Sequence, residues 1–386
     1  MIPCVRQRSY KFRFYPTEEQ RVLLARTFGS VRFVYNTILR WRTDAYRECD
    51  EPIGYAQSDA KLTELKRSGT FPWLYEVSSV PLQQCLRHQH RAFRNFFEGR
   101  ARYPSFKSKH RRQSATFTKS AFTFRNGELR IAMCSTPLDV HWSQDLPGEP
   151  TTVTVSMDAA GRYFVSLLCE FEPEPLPVSP RTVGVDMGLT HLATLSTGEK
   201  IANARYAAKY ATKLAKAQRK LSRCEKDSAN RRKAKRRVAR LHAKIADARL
   251  DLLHKLSRRL IDENQVVCVE TLNVAGMLRN RSLAKAISDA AWGELIRQLE
   301  YKAIWAGRQV VKIDRWDPSS KRCHGCGHIV DRLSLNVRAW TCPACEVVHD
   351  RDVNAARNIK AAGLAVLASG GCGSPGPACA GSGSAR

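Results

Sequence analysis

The sequence predicts a mixed α/β protein. A small β-domain interrupted by helices comes first, then an α/β domain with a cysteine-held module set into it. Three observations carry this. Short alternating runs flank the turn signals Asn126-Gly127 and Ala160-Gly161 in the first half. Continuous apolar runs alternate with long helical stretches in the second. Two Cys-x-x-Cys pairs, Cys323/Cys326 and Cys342/Cys345, lie fifteen residues apart, the spacing of a four-thiolate zinc ribbon.

Composition narrows the partners. A chain of 386 residues, 43% hydrophobic, can hold two or three domains. Its net charge of +28 attracts polyanions, nucleic acid first. No apolar run approaches the roughly 18 residues of a membrane span, so no membrane partner is expected. The start, MIPCVRQRSYKFRFYP, has no signal-peptide core. Thirteen cysteines without such a signal point to a reducing, cytoplasmic setting. Nine of them are scattered singly, and most of these suit buried apolar positions.

The elements follow in order. Residues 10–15 alternate as a strand, and Thr17-Glu18-Glu19-Gln20 is a capping box opening a helix. Tyr55 to Leu65 and Pro81 to Phe97 are helical. The latter carries Leu82, Cys85, Leu86, His90, Phe93 and Phe97 as its core stripe, with Arg87, His88, Arg91 and Arg94 opposite. RARYPSFKSKHRR interleaves cations with Tyr103 and Phe106, a pattern suited to phosphates and a stacked base. Strand-like runs follow at Ala115–Thr118, Leu129–Ala132, Thr152–Met157 and Tyr163–Glu170. The helices before them read as an insertion into this β-domain. PEPLPVSP, residues 173–180, reads as an extended linker.

Beyond the linker, Val183 to Val185 is a buried-type strand ending at Asp186, with Leu192 to Ser196 returning beside it. Asn203 to Leu260 is expected to form two packed helices with RRKAKRRVAR at the bend. Val238, Leu241, Ile245, Leu252 and Leu256 are their apolar repeat. Arg232, Lys233, Arg236 and Arg237 in that run are candidate phosphate contacts. Gln265 to Val269 is a second strand, ending at Glu270. Residues 283–306 read as one helix, and Gln309 to Ile313 as a third strand. After the ribbon, His349-Asp350-Arg351-Asp352 opens a helix with Val353, Ala356, Ile359 and Ala362 on its apolar side. One aspartate serves as its N-cap. From Gly370 the composition offers no core formers, so a disordered tail is expected. Cys372 and Cys379 there are too irregularly spaced for a second zinc site.

Asp186 and Glu270 end strands, and Asp352 opens a helix. Three carboxylates converging at such ends repel unless cations neutralise them, and hard oxygen ligands favour Mg²⁺. Two such ions about 4 Å apart clamp a phosphodiester for in-line hydrolysis. On so basic a chain this pattern points to a metal-dependent nuclease.

GVDMGLTHLATLSTG, VVCVETLNVAGM, ISDAAWGELIRQLEYKA and CHGCG…CPAC…HDRDVNAARNI resemble the TnpB/OrfB proteins of bacterial insertion sequences, relatives of type V CRISPR effectors. The similarity runs from RFYPTEEQ and GSVRFVYN to NAARNI. The resemblance implies a RuvC-like, RNase H-type nuclease domain over 181–315 and 349–365, with the zinc ribbon inserted at 316–348. It implies a β-barrel wedge domain over 1–16 and 101–172, a helical recognition insertion over 17–100, a linker over 173–180 and a tail over 366–386. It implies that Asp186, Glu270 and Asp352 are catalytic and hold Mg²⁺. Asp352 rather than Asp350 matches the second aspartate of the family's D-x-D-x-N-A-A. Cys323, Cys326, Cys342 and Cys345 would hold Zn²⁺, and Tyr55 and Gln83 would lie where a short motif beside the DNA target is read. The implied activity is RNA-guided DNA cleavage, by a monomer carrying one guide RNA from the transposon end, in a bacterial cytoplasm at the nucleoid. One departure stands out: Glu346 follows Cys345 where the family commonly has glycine, at a knuckle position that often needs positive φ. A non-catalytic nucleic-acid-binding transposon regulator is the alternative reading, and the full set of three carboxylates argues against it. An unguided junction resolvase would not need the large N-terminal half or the ribbon.

Overall fold

The structure, a computed structural model, describes residues 6–334 and 336–370. It divides into two compact units. One takes the chain through Glu172 together with Lys235–Arg240; the other takes Pro173–Ala234 and Leu241 onward. No helix among the described residues is long and apolar enough to cross a membrane.

In the first unit, β1 (Arg6–Phe14) buries alternate residues Tyr10, Phe12 and Phe14. Removing each such ring from water is worth about 1.5–3 kcal/mol. Thr17 then caps α1 (Glu18–Cys49). Its hydroxyl accepts from the Gln20 N–H, and the Gln20 side chain accepts from the Thr17 N–H, the reciprocal bonds of a capping box. α1 hides Leu24, Phe28, Val31, Val34, Tyr35, Ile38 and Leu39 along one face. α2 (Tyr55–Arg67) and α3 (Ser79–Phe97) complete the helical layer. On α3 the expected stripe needs correction, because His90 and Phe97 are exposed. The inward position belongs to Gln89, whose Nε2 donates to the Tyr35 carbonyl at 2.8 Å. That bond admits a polar side chain to the core.

The chain then makes β2 (Gln113–Thr118), β3 (Phe122–Arg125), β4 (Glu128–Ile131), β5 (Val140–His141), β6 (Pro150–Met157) and β7 (Tyr163–Phe171). The order β2-β6-β7-β1-β5 is antiparallel throughout. β1 returns to the sheet beside the last long strand, so α1–α3 are spliced into it. β3 and β4 form a separate hairpin at Asn126-Gly127.

The second unit opens with the extended segment at Pro173–Pro180. Arg308, itself buried, donates to the Pro177 carbonyl and to Gln265 Oε1 at 2.7 Å each, which fastens the segment. β8 (Thr182–Asp186), β9 (His191–Leu195) and β10 (Lys200–Ala202) form an antiparallel meander. α4 (Tyr206–Lys209), α5 (Ala211–Ser222) and α6 (Ala229–Glu263) follow. The bend falls at Arg223–Ser228, before RRKAKRRVAR, which lies within α6. Ser228 caps α6, and Arg231 donates to the carbonyls of Leu221 and Cys224, closing the turn. Ile245 and Leu256 of the expected repeat are buried, while Val238, Leu241 and Leu252 are half-buried.

β11 (Val266–Glu270), α7 (Val274–Met277), α8 (Ala284–Ala290), α9 (Trp292–Ala306) and β12 (Gln309–Ile313) come next. Residues 283–306 are two helices, because Ala291 takes a left-handed conformation at φ 54°. The sheet order is β10-β9-β8-β11-β12, with β8, β11 and β12 parallel. The ribbon contributes β13 (Ala339–Thr341) and β14 (Val348–Asp350), and α10 (Arg351–Ala368) closes the described chain. Along β11, Val267 and Val269 pack with α6, α8 and α9, whereas Val266 and Cys268 pack with Ile359 of α10. A parallel sheet covered on both faces explains the unbroken apolar runs. α10 reaches Ala368, with Val366 and Leu367 packed on this core, so the tail does not begin at 366. Residues 371–386, with Cys372 and Cys379, lie outside the described residues.

Candidate active site and zinc ribbon

Strand register brings the first two carboxylates together. Val185 lies opposite Val269 in the parallel pair, so Asp186 and Glu270 leave neighbouring strand ends, with strands about 4.8 Å apart. Asp352 arrives on α10, which crosses both strands at close range. A Cβ on Gly184 would lie 2.1 Å from the Ala356 carbonyl oxygen, and one on Gly363 would lie 2.4 Å from Cys268 Sγ. Each approach falls two residues before a strand-end acid.

The electrostatics record the convergence. Burial pushes the Asp186 carboxyl up to about 8, and the Glu270 and Asp352 charges add to it, against a lesser pull from Arg351. Burial also raises Glu270, and Asp317 raises it further, while a hydrogen bond from Ser319 Oγ to Glu270 Oε1 at 2.7 Å works the other way. Asp317 and Ser319 are contributors the sequence reading missed. Their signal was the Asp-Pro-Ser-Ser stretch that begins four residues past the end of the third parallel strand. Asp317 Oδ1 is buried with no hydrogen-bond partner among the described residues. Its Oδ2 pairs with Arg322 at 3.5 Å; the carboxyl oxygens gathered here are hard donors, the type a divalent cation takes.

The two neighbouring aspartates separate cleanly. Asp350 is the N-cap: its Oδ1 accepts from the Val353 N–H at 3.0 Å, and its Oδ2 meets Lys200 Nζ at 2.6 Å. Burial works against its charge, but Lys200 and the backbone N–H groups hold it below the usual carboxylate range. Asp352 sits in the first helical turn, with Arg338 at 3.6 Å.

The four ribbon sulfurs lie within 4.8 Å of one another, with Cys323–Cys345 and Cys326–Cys342 both at 3.6 Å. Tetrahedral Zn–S bonds of about 2.3 Å imply sulfur separations of about 3.8 Å, so the site fits zinc. Cys342 is pulled down to about 6, its burial outweighed by the N–H groups of Ala344 and Cys345. His349, unassigned from sequence, is buried with Nε2 3.0 Å from Cys323 Sγ, the place of a hydrogen-bonding partner to a ligating thiolate. Gly327, after Cys326, has φ 82°, and Glu346, after Cys345, has φ 58°. The second knuckle therefore keeps its left-handed turn at the cost of a residue that disfavours it.

The nucleic-acid candidates are more dispersed. Tyr55, at the start of α2, has the Arg87 guanidinium 5.0 Å from its ring centroid and His90 at 6.5 Å. Gln83 lies one turn before Arg87, so it shares that face of α3. Arg232, Lys233, Arg236 and Arg237 are all exposed on α6. The loop carrying Phe106 and Lys107 borders a cleft of about 290 Å³, also lined by Tyr35, Arg32, Arg111 and Arg112. Lys107 lies over the Tyr35 ring at 4.2 Å, and burial lowers its pKa. Among the described residues, no acid lines this cleft.

Fold and site define an α/β protein whose mixed sheet and closing helix bring acids together beside a four-cysteine ribbon. A profile of the OrfB family of IS605, described as "Probable transposase", matches residues 165–281. One described as "Cas12f1-like, TNB domain" matches 292–359, and a "Helix-turn-helix domain" of the OrfB group matches 1–50. The described part of that last stretch is one strand and one long helix, not two helices about a turn. A Streptomyces pristinaespiralis protein named "Putative RNA-guided DNA endonuclease" is 57% identical over 367 residues, 94% of this chain and 91% of that protein. "Putative RNA-guided DNA endonuclease InsQ" of Escherichia coli (strain K12) is 32% identical, covering 95% and 94%. In fold the chain resembles the protein in a cryo-EM structure of a Cas12f1-sgRNA-target DNA complex, with a TM-score of 0.57 at 12% identity, covering 92% of this chain and 99% of that one. The chain belongs to the TnpB/OrfB family of insertion-sequence proteins.

Proposed function

We propose that this protein is an RNA-guided DNA endonuclease whose cleavage centre is Asp186, Glu270 and Asp352. The observation that carries the reading is the convergence of these acids at two parallel strand ends and one helix start, where burial first and then the Glu270 and Asp352 charges push Asp186 up to about 8. The names of the 57% and 32% identical relatives supply the guided activity and its DNA substrate. Residues 181–315 and 349–365 are read as a RuvC-like nuclease domain, with the ribbon at 316–348. Residues 1–16 and 101–172 are read as the wedge, though its ladder is open rather than closed, and 17–100 as the recognition insertion. The second unit's three acids would hold Mg²⁺, which when bound supplies Lewis-acid polarisation of the phosphodiester and a more acidic water. Glu270 is oriented by Ser319, Asp350 fixes the helix that brings Asp352, and Cys323, Cys326, Cys342 and Cys345 hold Zn²⁺ to fix the ribbon. Guide RNA and target DNA are met by exposed cations and by the acid-free cleft at Phe106 and Lys107, and the active species is a monomer with one RNA.

The test separates adjacent aspartates. Asp352→Ala, like Asp186→Ala and Glu270→Ala, should abolish cleavage while RNA copurification persists. Asp350→Ala should keep cleavage and lose about 0.5–2 kcal/mol of stability, as a lost N-cap does. Equal loss of cleavage at 350 and 352, with both variants folded, would refute the assignment.

A further inference from the structure

We propose that Asn358 and Ser319 are positioning residues that tie the Glu270 carboxylate to the zinc ribbon and to the helix carrying Asp352. The proposal rests on the metal-dependent reading above. Asn358 is 3% exposed, and its Nδ2 donates to the carbonyls of Ser319 at 2.8 Å and Arg322 at 2.6 Å. Ser319 is also buried, and its hydroxyl donates to Glu270 Oε1. Arg322 immediately precedes the ribbon ligand Cys323. Its carbonyl also accepts from Asn354 Nδ2 at 2.7 Å, while Asn354 Oδ1 accepts from the His324 N–H at 2.9 Å. Asn354 and Asn358, four apart on α10, therefore grip the backbone on both sides of Cys323.

Asp352 lies two residues before Asn354 on the same helix. One buried face of α10 thus bonds to the first knuckle and, through Ser319, to the second catalytic acid. A loop staple that served stability alone would need Asn358 on a carbonyl, but not a serine hydroxyl turned onto a carboxylate. The Ser319 bond occupies one Glu270 oxygen in a fixed direction, which orients the other. Bonds to ligating carboxylates of this kind set metal affinity.

The experiment titrates Mn²⁺ by electron paramagnetic resonance into full-length, zinc-loaded, RNA-free protein, with Asp186→Ala defining the signal from this centre. Ser319→Ala and Asn358→Ala should each weaken that signal's affinity about tenfold or more, and Ser319→Thr should restore it. The double variant should be no weaker than the worse single one, because both act on one link. Asn358→Ala should also release zinc faster to a chromogenic chelator, whereas Ser319→Ala should not. Wild-type Mn²⁺ affinity in folded Ser319→Ala would overturn the proposal, as would losses that multiply in the double variant. Should Asn358→Ala fail to fold, the Ser319→Ala and Ser319→Thr pair decides alone. Absence of any Asp186-dependent Mn²⁺ site in the wild type would instead overturn the metal-centre reading, and this proposal with it.

Discussion

Asp186 shows how a site residue works against its own fold. Its carboxyl titrates near 8 rather than at the ordinary 3.8, chiefly through burial and then through its acidic neighbours. The folded state therefore binds a proton that the unfolded chain has released. Stability from this group is fully present below about pH 4 and is lost as pH rises through about 8. In magnesium-free buffer with zinc retained, the melting temperature should fall between pH 5 and pH 8.5. Asp186→Asn should flatten that fall and stabilise the protein at pH 8.5 by about 1–3 kcal/mol, discounted from the full shift because the side chain keeps some solvent. Adding Mg²⁺ should recover the loss in the wild type and not in the variant. A pH-independent difference between the two proteins would show that the Asp186 carboxyl is not raised in the folded state. Glu346 carries the same lesson in the backbone. The departure from glycine was visible in the sequence, and the positive φ it had to adopt is what the structure supplies.

At the scale of elements, α10 sets the geometry of the centre, and its seat depends on two missing side chains. Gly184→Ala would place a methyl 2.1 Å from the Ala356 carbonyl oxygen and 2.7 Å from the Lys360 nitrogen. Both are backbone atoms, so the helix itself must lift. The expected cost is about 1–3 kcal/mol or more, as for other overpacked cores, read as a lower denaturation midpoint. Cleavage should fall further than stability does, because Asp352 moves away from Asp186, and zinc content should stay at the wild-type level. Unchanged cleavage would mean the helix is not held where these contacts place it. Much at this scale was legible in sequence. The apolar runs ending in Asp186 and Glu270 are strands because a sheet covered on both faces demands them, and the capping box at Thr17 is local chemistry. What escaped was set by distant partners. Gln89 took the inward place expected of His90 because the Tyr35 carbonyl receives it. The helix over 283–306 broke at Ala291 itself, while the nearby Gly293 stayed inside the helix that follows. Ser319 and Asp317 became part of the site only when the loop after β12 met Glu270.

For the whole molecule, the governing number is the net charge of +28. The first turns of α6 concentrate part of it on exposed side chains. Buried Ala234 sits among them, while Arg232, Lys233, Arg236 and Arg237 are exposed. Arg231, in the same run, is committed to the turn before α6 through two carbonyls. Lys235 and Arg240 of the same run are exposed too, and the four named residues can be reversed to Glu without removing a structural bond that Arg231 makes. Each phosphate contact on a single strand adds about 0.7 to the slope of log affinity against log salt, so losing four flattens it by up to about 2.8. The reversed variant, with Arg231 intact, should melt within a degree or two of the wild type and bind guide RNA with that shallower slope. Arg231→Glu alone should do the opposite, lowering the melting temperature and leaving the slope nearly unchanged. If the fourfold variant keeps the wild-type slope, the run is a solvated face, and the RNA-facing charge lies elsewhere in the molecule.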